Sequence, residues 1–136
     1  MPGHSEHVRQ ARHNRAFMEC VRRTGKYRDW VVTSCFYCAL HFVDAALSTV
    51  SVHPNRHEDR NSSLQWLKRS NRKLWSDAGY KHYRELQTQS RKARYSCESI
   101  SEREVADAIE EDLTVVVRWA YVHLTRFDSR AYPSHK

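Results

Sequence analysis

WVVTSCFYCALHFVDAALSTV, residues Trp30 to Val50, is the most sustained apolar stretch of the chain, and how it is read decides the fold. As a helix rising about 1.5 Å per residue it reaches the thickness of a bilayer core. His41 and Asp44 stand at its middle, however, with Thr33, Ser34 and Ser48 around them. A membrane span would hold those groups in hydrocarbon, whereas a helix surrounded by other helices offers them partners. On a wheel of 100° per residue, Val31, Cys35, Cys38, Phe42 and Ala46 fall on one stripe, which Val43 and Val50 widen. The stretch is therefore read as a helix over Tyr27–Ser51 at the centre of a bundle, and no membrane association is expected.

The segments on either side support that reading. Three glycines and three prolines in 136 residues leave little of the turn chemistry that many short strands need. A first helix is expected over Ser5–Arg23, closed by Thr24 and Gly25, since glycine suits the position after a helix end. Val52 to Asn61 reads as a polar connector because Pro54 lacks an amide proton and disfavours the helical conformation at His53. A third helix is expected over Ser62–Trp75 with Leu64, Leu67 and Leu74 inward, and a short fourth over Tyr80–Gln87 with Tyr83 and Leu86 inward. Ser90 to Tyr95 then reads as a basic connector. The last helix has the clearest start, a capping box of Ser101 and Glu104. Its stripe Val105, Ile109, Leu113, Val116, Ala120 and Leu124 continues for about five turns. The expectation is an all-α protein, a four- to five-helix up-and-down bundle forming one domain over residues 1–127, with a loose tail over 128–136.

The charge is +7, and it is unevenly placed. Residues 54–95 hold eleven basic and four acidic side chains, whereas residues 96–114 hold one basic and seven acidic. The middle of the chain is thus suited to a polyanion such as RNA, or to a nucleotide, through phosphate neutralisation. The N-terminus MPGHSEHVRQARHNR has no apolar signal-peptide core, so the expected location is the cytoplasm, with Cys20, Cys35, Cys38 and Cys97 as free thiols.

Four constellations carry possible chemistry. Tyr37, His41, Asp44 and Ser48 recur at i, i+4, i+7 and i+11 and line a second stripe on the central helix, either as a structural network or as a pocket using His41 as acid or base. Cys35, Cys38 and His41 have metal-ligand types, but no second ligand pair completes a tetrahedral site, and the cysteines lie on the apolar stripe; no metal or other cofactor is expected. His57 and Arg60 stand near a helix start, where anions are attracted: Arg60 suits phosphate clamping and His57 proton transfer, unless Glu58 and Asp59 pair with the arginines instead. Arg118 and His123 form an R-x4-H pair, supplying the cation and the base that metal-independent RNA cleavage requires. On a helix the two diverge by about 140°.

The central helix, the following stretch His53-Pro-Asn-Arg-His57-Glu-Asp-Arg60 and the segment from Tyr83 through Leu86, Ser90, Ala93 and Arg94 to Tyr95 together resemble the HEPN superfamily of prokaryotic helical-bundle proteins, over about residues 8–125. The resemblance is to an uncharacterised branch. It implies a homodimer and, in active members, a metal-independent endoribonuclease of defence or toxin–antitoxin systems, for which Arg118 and His123 are the matching residues. Trp119 stands where a polar residue is usual after the arginine, and Thr125 where toxin members carry tyrosine. Non-catalytic relatives are thought to bind nucleotides or to serve as partners of a nucleotidyltransferase or another protein. For that alternative the anion-binding candidates are His57, Arg60, Arg91, Arg94 and Tyr95.

Overall fold

The computed structural model describes residues 2–131, and among these there is no strand. Five helices follow one another: α1 (His4–Arg23), α2 (Arg28–Ser48), α3 (His57–Ser70), α4 (Asp77–Tyr95) and α5, which runs unbroken over residues 102–131. The all-α bundle is as expected.

Apolarity on every side of α2 puts it at the centre. Fifteen of its 21 residues are buried, so packing against neighbouring helices accounts for its composition. It is the one helix among the described residues long and apolar enough to cross a membrane, and 83% of its most apolar window lies inside the bundle.

Polar contacts along the helices fix their directions. α1 reverses into α2 through Gly25, which takes a left-handed φ of 66° just past the helix end. α5 runs antiparallel to α1, since His4 faces Asp128, Arg12 donates to the Tyr121 hydroxyl at 2.9 Å, and Arg22 reaches Glu110. It also runs antiparallel to α4, as His82 pairs with Asp112 and Lys92 with Glu104. α1, α2, α4 and α5 thus alternate up and down. α3 lies within the α2–α4 connection and packs along α4, with Asn61 to Gln87, Gln65 to Tyr80 and Lys68 to Asp77 as rungs.

Three boundaries differ from the sequence reading. α3 begins at His57 rather than Ser62 and ends at Ser70, because Arg60 occupies an inward helical position. α4 is far longer than expected, and Ser90 to Tyr95 is its last turns rather than a connector. Its inward face is Gly79, Tyr83, Leu86, Gln87 and Ser90, a helical spacing made partly of polar residues. α5 continues past Phe127 to Ala131; the remainder of the expected tail, 132–136, lies outside the described residues.

The capping box at Ser101 and Glu104 is formed in both directions. Asp107–Leu113 then makes a π-helical segment, supported by the Thr114 hydroxyl donating to the Ile109 carbonyl. The wider turn changes the helix phase, and both Leu113 and Asp112 face inward. Asp112 there accepts from His82 Nδ1 at 2.7 Å. Burial raises the Asp112 carboxyl above its ordinary value, and the histidine opposes that shift.

Candidate functional site

Each polar residue of the α2 stripe is met by a different element. The Tyr37 hydroxyl accepts from Arg94 Nη1 of α4 at 3.0 Å, and the Arg94 guanidinium also lies over the Tyr37 ring. His41 Nδ1 lies 3.2 Å from Nδ1 of His7 on α1. Asp44 accepts two bonds from Arg60 of α3, from Nε at 2.6 Å and from Nη2 at 3.0 Å. Ser48 turns back to the Ala45 carbonyl of its own helix. The stripe is the polar hub that ties α1, α3 and α4 to the central helix.

That network corrects one assignment. Arg60 is only 5% exposed and both edges of its bidentate fork are on Asp44, so it is not free to clamp an external phosphate. Removing either partner would leave an uncompensated buried charge, which costs roughly 3–5 kcal/mol, while the intact pair is close to neutral for stability. Arg60 is a structural residue. Of the connector's two acids, Asp59 pairs with Arg56 on the surface, and Glu58 has no ion pair among the described residues.

The other anion-binding candidates converge around the start of α3. Its N-cap, Arg56, provides no side-chain cap, and the first intrahelical bond is donated by the Arg60 amide, so the amides of His57, Glu58 and Asp59 have no partner within the helix. Burial, followed by the positive charges of Arg60, Arg91 and Arg94, holds the His57 imidazole below the ordinary histidine value. The ring packs against Phe36 and lies 3.4 Å from Arg60 Nη1. Arg91 is exposed, and neither it nor Arg94 pairs with a carboxylate among the described residues. Arg94 uses Nε on the Ser90 carbonyl and Nη1 on two tyrosine hydroxyls, which leaves Nη2 free. Its guanidinium sits 5.0 Å over the ring of Tyr95, which is 73% exposed.

Arg118 and His123 are not brought together. His123 is 3% exposed, with its ring stacked 3.8 Å from that of Trp75 and set edge-on to Trp119. Burial, helped by the charge of Arg126, pushes its pKa down to about 4. Arg118 points outward into a shallow groove with Leu74, Val117, Tyr121, Val122, Thr125 and Arg126. A base sealed behind two indoles has no path to a ribose hydroxyl. Trp119 is buried within the chain against Gly79 of α4.

Cys35 and Cys38 are core residues: burial pushes both thiols up to about 12, where they are inert as ligands or nucleophiles at neutral pH. Their metal-ligand spacing has no consequence. One residue of interest had no sequence signal: His7 is one of three histidines in the first thirteen residues, and only the folded α1–α2 pairing singles it out.

No family model, curated protein or solved structure matches this chain.

Proposed function

We propose that this chain is a HEPN-like helical bundle that binds RNA through its phosphates without cleaving it at the Arg118–His123 pair. The observation that carries the reading is the meeting of an uncapped α3 N-terminus with Arg91, Arg94 and the exposed ring of Tyr95. Free helix amides and unpaired guanidinium groups bind phosphate oxygens. An exposed aromatic ring beside them stacks an unpaired base, the combination that single-stranded nucleic acid uses. His57 contributes as a neutral imidazole able to donate or accept one hydrogen bond. The burial of His123 supports a binding role over a catalytic one.

The test is fluorescence anisotropy of a labelled single-stranded RNA over a salt series, with and without EDTA. Binding should weaken linearly on a log–log plot. Arg91→Ala and Arg94→Ala should each reduce the slope by about 0.7, the amount for one phosphate contact on a single strand. Tyr95→Ala should weaken binding at every salt concentration with the slope unchanged. A free mononucleotide competing as well as the oligomer would reassign the site to nucleotides. Cleavage in EDTA that His123→Ala abolishes would overturn the binding-only reading.

A further inference from the structure

Where α1 meets the α2 stripe, His7, His41 and Asp44 bring one ligand atom each to within 4.8 Å of one another. The two imidazoles meet through Nδ1, at 3.2 Å. Nitrogens bound to one zinc ion at its usual bond length of about 2.0–2.1 Å and at the tetrahedral angle are about 3.3 Å apart. The histidine pair is therefore already spaced as an edge of a zinc tetrahedron. Without an ion the same contact is an N–H···N hydrogen bond, with one ring donating and the other accepting.

We propose that His7, His41 and Asp44 form a binding site for a transition-metal dication of the zinc class, with the fourth position open to solvent. The donor set excludes magnesium and calcium, which take oxygen ligands, and suits zinc, cobalt, nickel or copper. Each Asp44 oxygen accepts one bond from Arg60 and retains a lone pair. A ligating carboxylate held from behind by a hydrogen-bond donor is the usual supporting arrangement at metal sites. His7 and His41 are both half-buried, and His41 also lines an open groove of about 390 Å³ with Gln10, Asn14, Thr33, Ser34 and Tyr37. The buried Nδ1 of His53 has no partner among the described residues.

The experiment takes the full chain, stripped with a chelator, and titrates it with Co2+ alone and then with Zn2+ alone. The expected result is one equivalent of Co2+ giving the intense visible bands of four-coordination, bleached by Zn2+. Nitrogen-15 spectra of the wild-type chain should show the His7 and His41 Nδ1 resonances moving on Zn2+ addition. His7→Ala and His41→Ala should each weaken Zn2+ binding by at least about 100-fold. His13→Ala, on an exposed histidine of the same helix, should leave it unchanged. Weak six-coordinate Co2+ bands, a thiolate-to-cobalt band assigning the ion to exposed Cys20 or Cys97, or unmoved His7 and His41 nitrogens would overturn the site. The wild-type spectra decide the matter even where a variant fails to fold.

Discussion

His123 shows how burial sets the chemistry of a single residue. Between Trp75 and Trp119 the charged ring would lose its hydration and gain no counter-ion, so the neutral form is held down to about pH 4. The unfolded chain binds that proton near pH 6.5, hence in the interval between the two values the unfolded state holds more protons and stability falls as the pH falls. A depression from 6.5 to about 4 corresponds to a contribution on the order of 3 kcal/mol, present above pH 6.5 and lost as the pH drops through 4. Denaturant unfolding at a series of pH values should show that loss, and His123→Phe, which keeps a ring against Trp75, should remove this part of the slope. An equal slope in the variant would mean that His123 is not held neutral. The R-x4-H spacing was legible in the sequence, and so was the angular divergence of its two members. The burial of His123 was not, because it depends on Trp75, 48 positions away.

At the scale of elements, legibility followed the apolar pattern. α1, α2 and the capping box of α5 were read correctly because each announces itself with an apolar stripe or a terminal motif. α4 was under-read: Gln87 and Ser90 take inward positions that a search for apolar periodicity passes over, and Gly79 leaves no side chain to detect. Gly79 is nonetheless where α4 and α5 come closest. A Cβ built there would lie 2.3 Å from the Trp119 ring, and the indole is boxed in by Trp75 and His123. Alanine improves helix propensity by about 1 kcal/mol in a helix interior, but Gly79 is only in the first turn of α4, where that gain is smaller. Overpacking costs about 1–3 kcal/mol and decides the sign. Gly79→Ala should therefore lower the unfolding midpoint, and thermal denaturation of the variant beside Ala78→Gly, at an exposed neighbouring position, separates the clash from propensity. A stabilised Gly79→Ala would show that the two helices have room to part.

For the whole molecule, the uneven charge of the sequence becomes local neutralisation in the fold. The acidic start of α5 lies against basic residues of other segments, with Glu102 on Arg28, Glu104 on Lys92 and Glu110 on Arg22. Of the basic residues over 54–95, Arg56, Arg60, Lys68 and Lys92 are paired with carboxylates among the described residues, and Arg91 and Arg94 are among those that are not. A second surface is left over on the outer face of α5. Val122 is 58% exposed, and with Tyr121, Val117 and Leu74 it lines an apolar groove flanked by Arg118 and Arg126. Tyr121 and Val122 are exposed side by side there, an apolar surface a partner would cover. A stable interface needs about 800 Å² from each partner, roughly a tenth of this chain's 8431 Å² surface, and a pair of α5 faces related by a two-fold axis is long enough to provide it. The expected assembly is a homodimer closed through α5, with Arg118 at its rim. Light scattering on the eluting peak should give twice 16.2 kDa, and Val122→Glu should return the protein to the monomer mass with its helical content intact. The aromatic cluster of Phe17, Tyr27 and Trp30 on the α1–α2 side is the competing apolar surface. If Trp30→Glu dissociates the dimer and Val122→Glu does not, the contact lies there, and the outer face of α5 faces solvent or another partner.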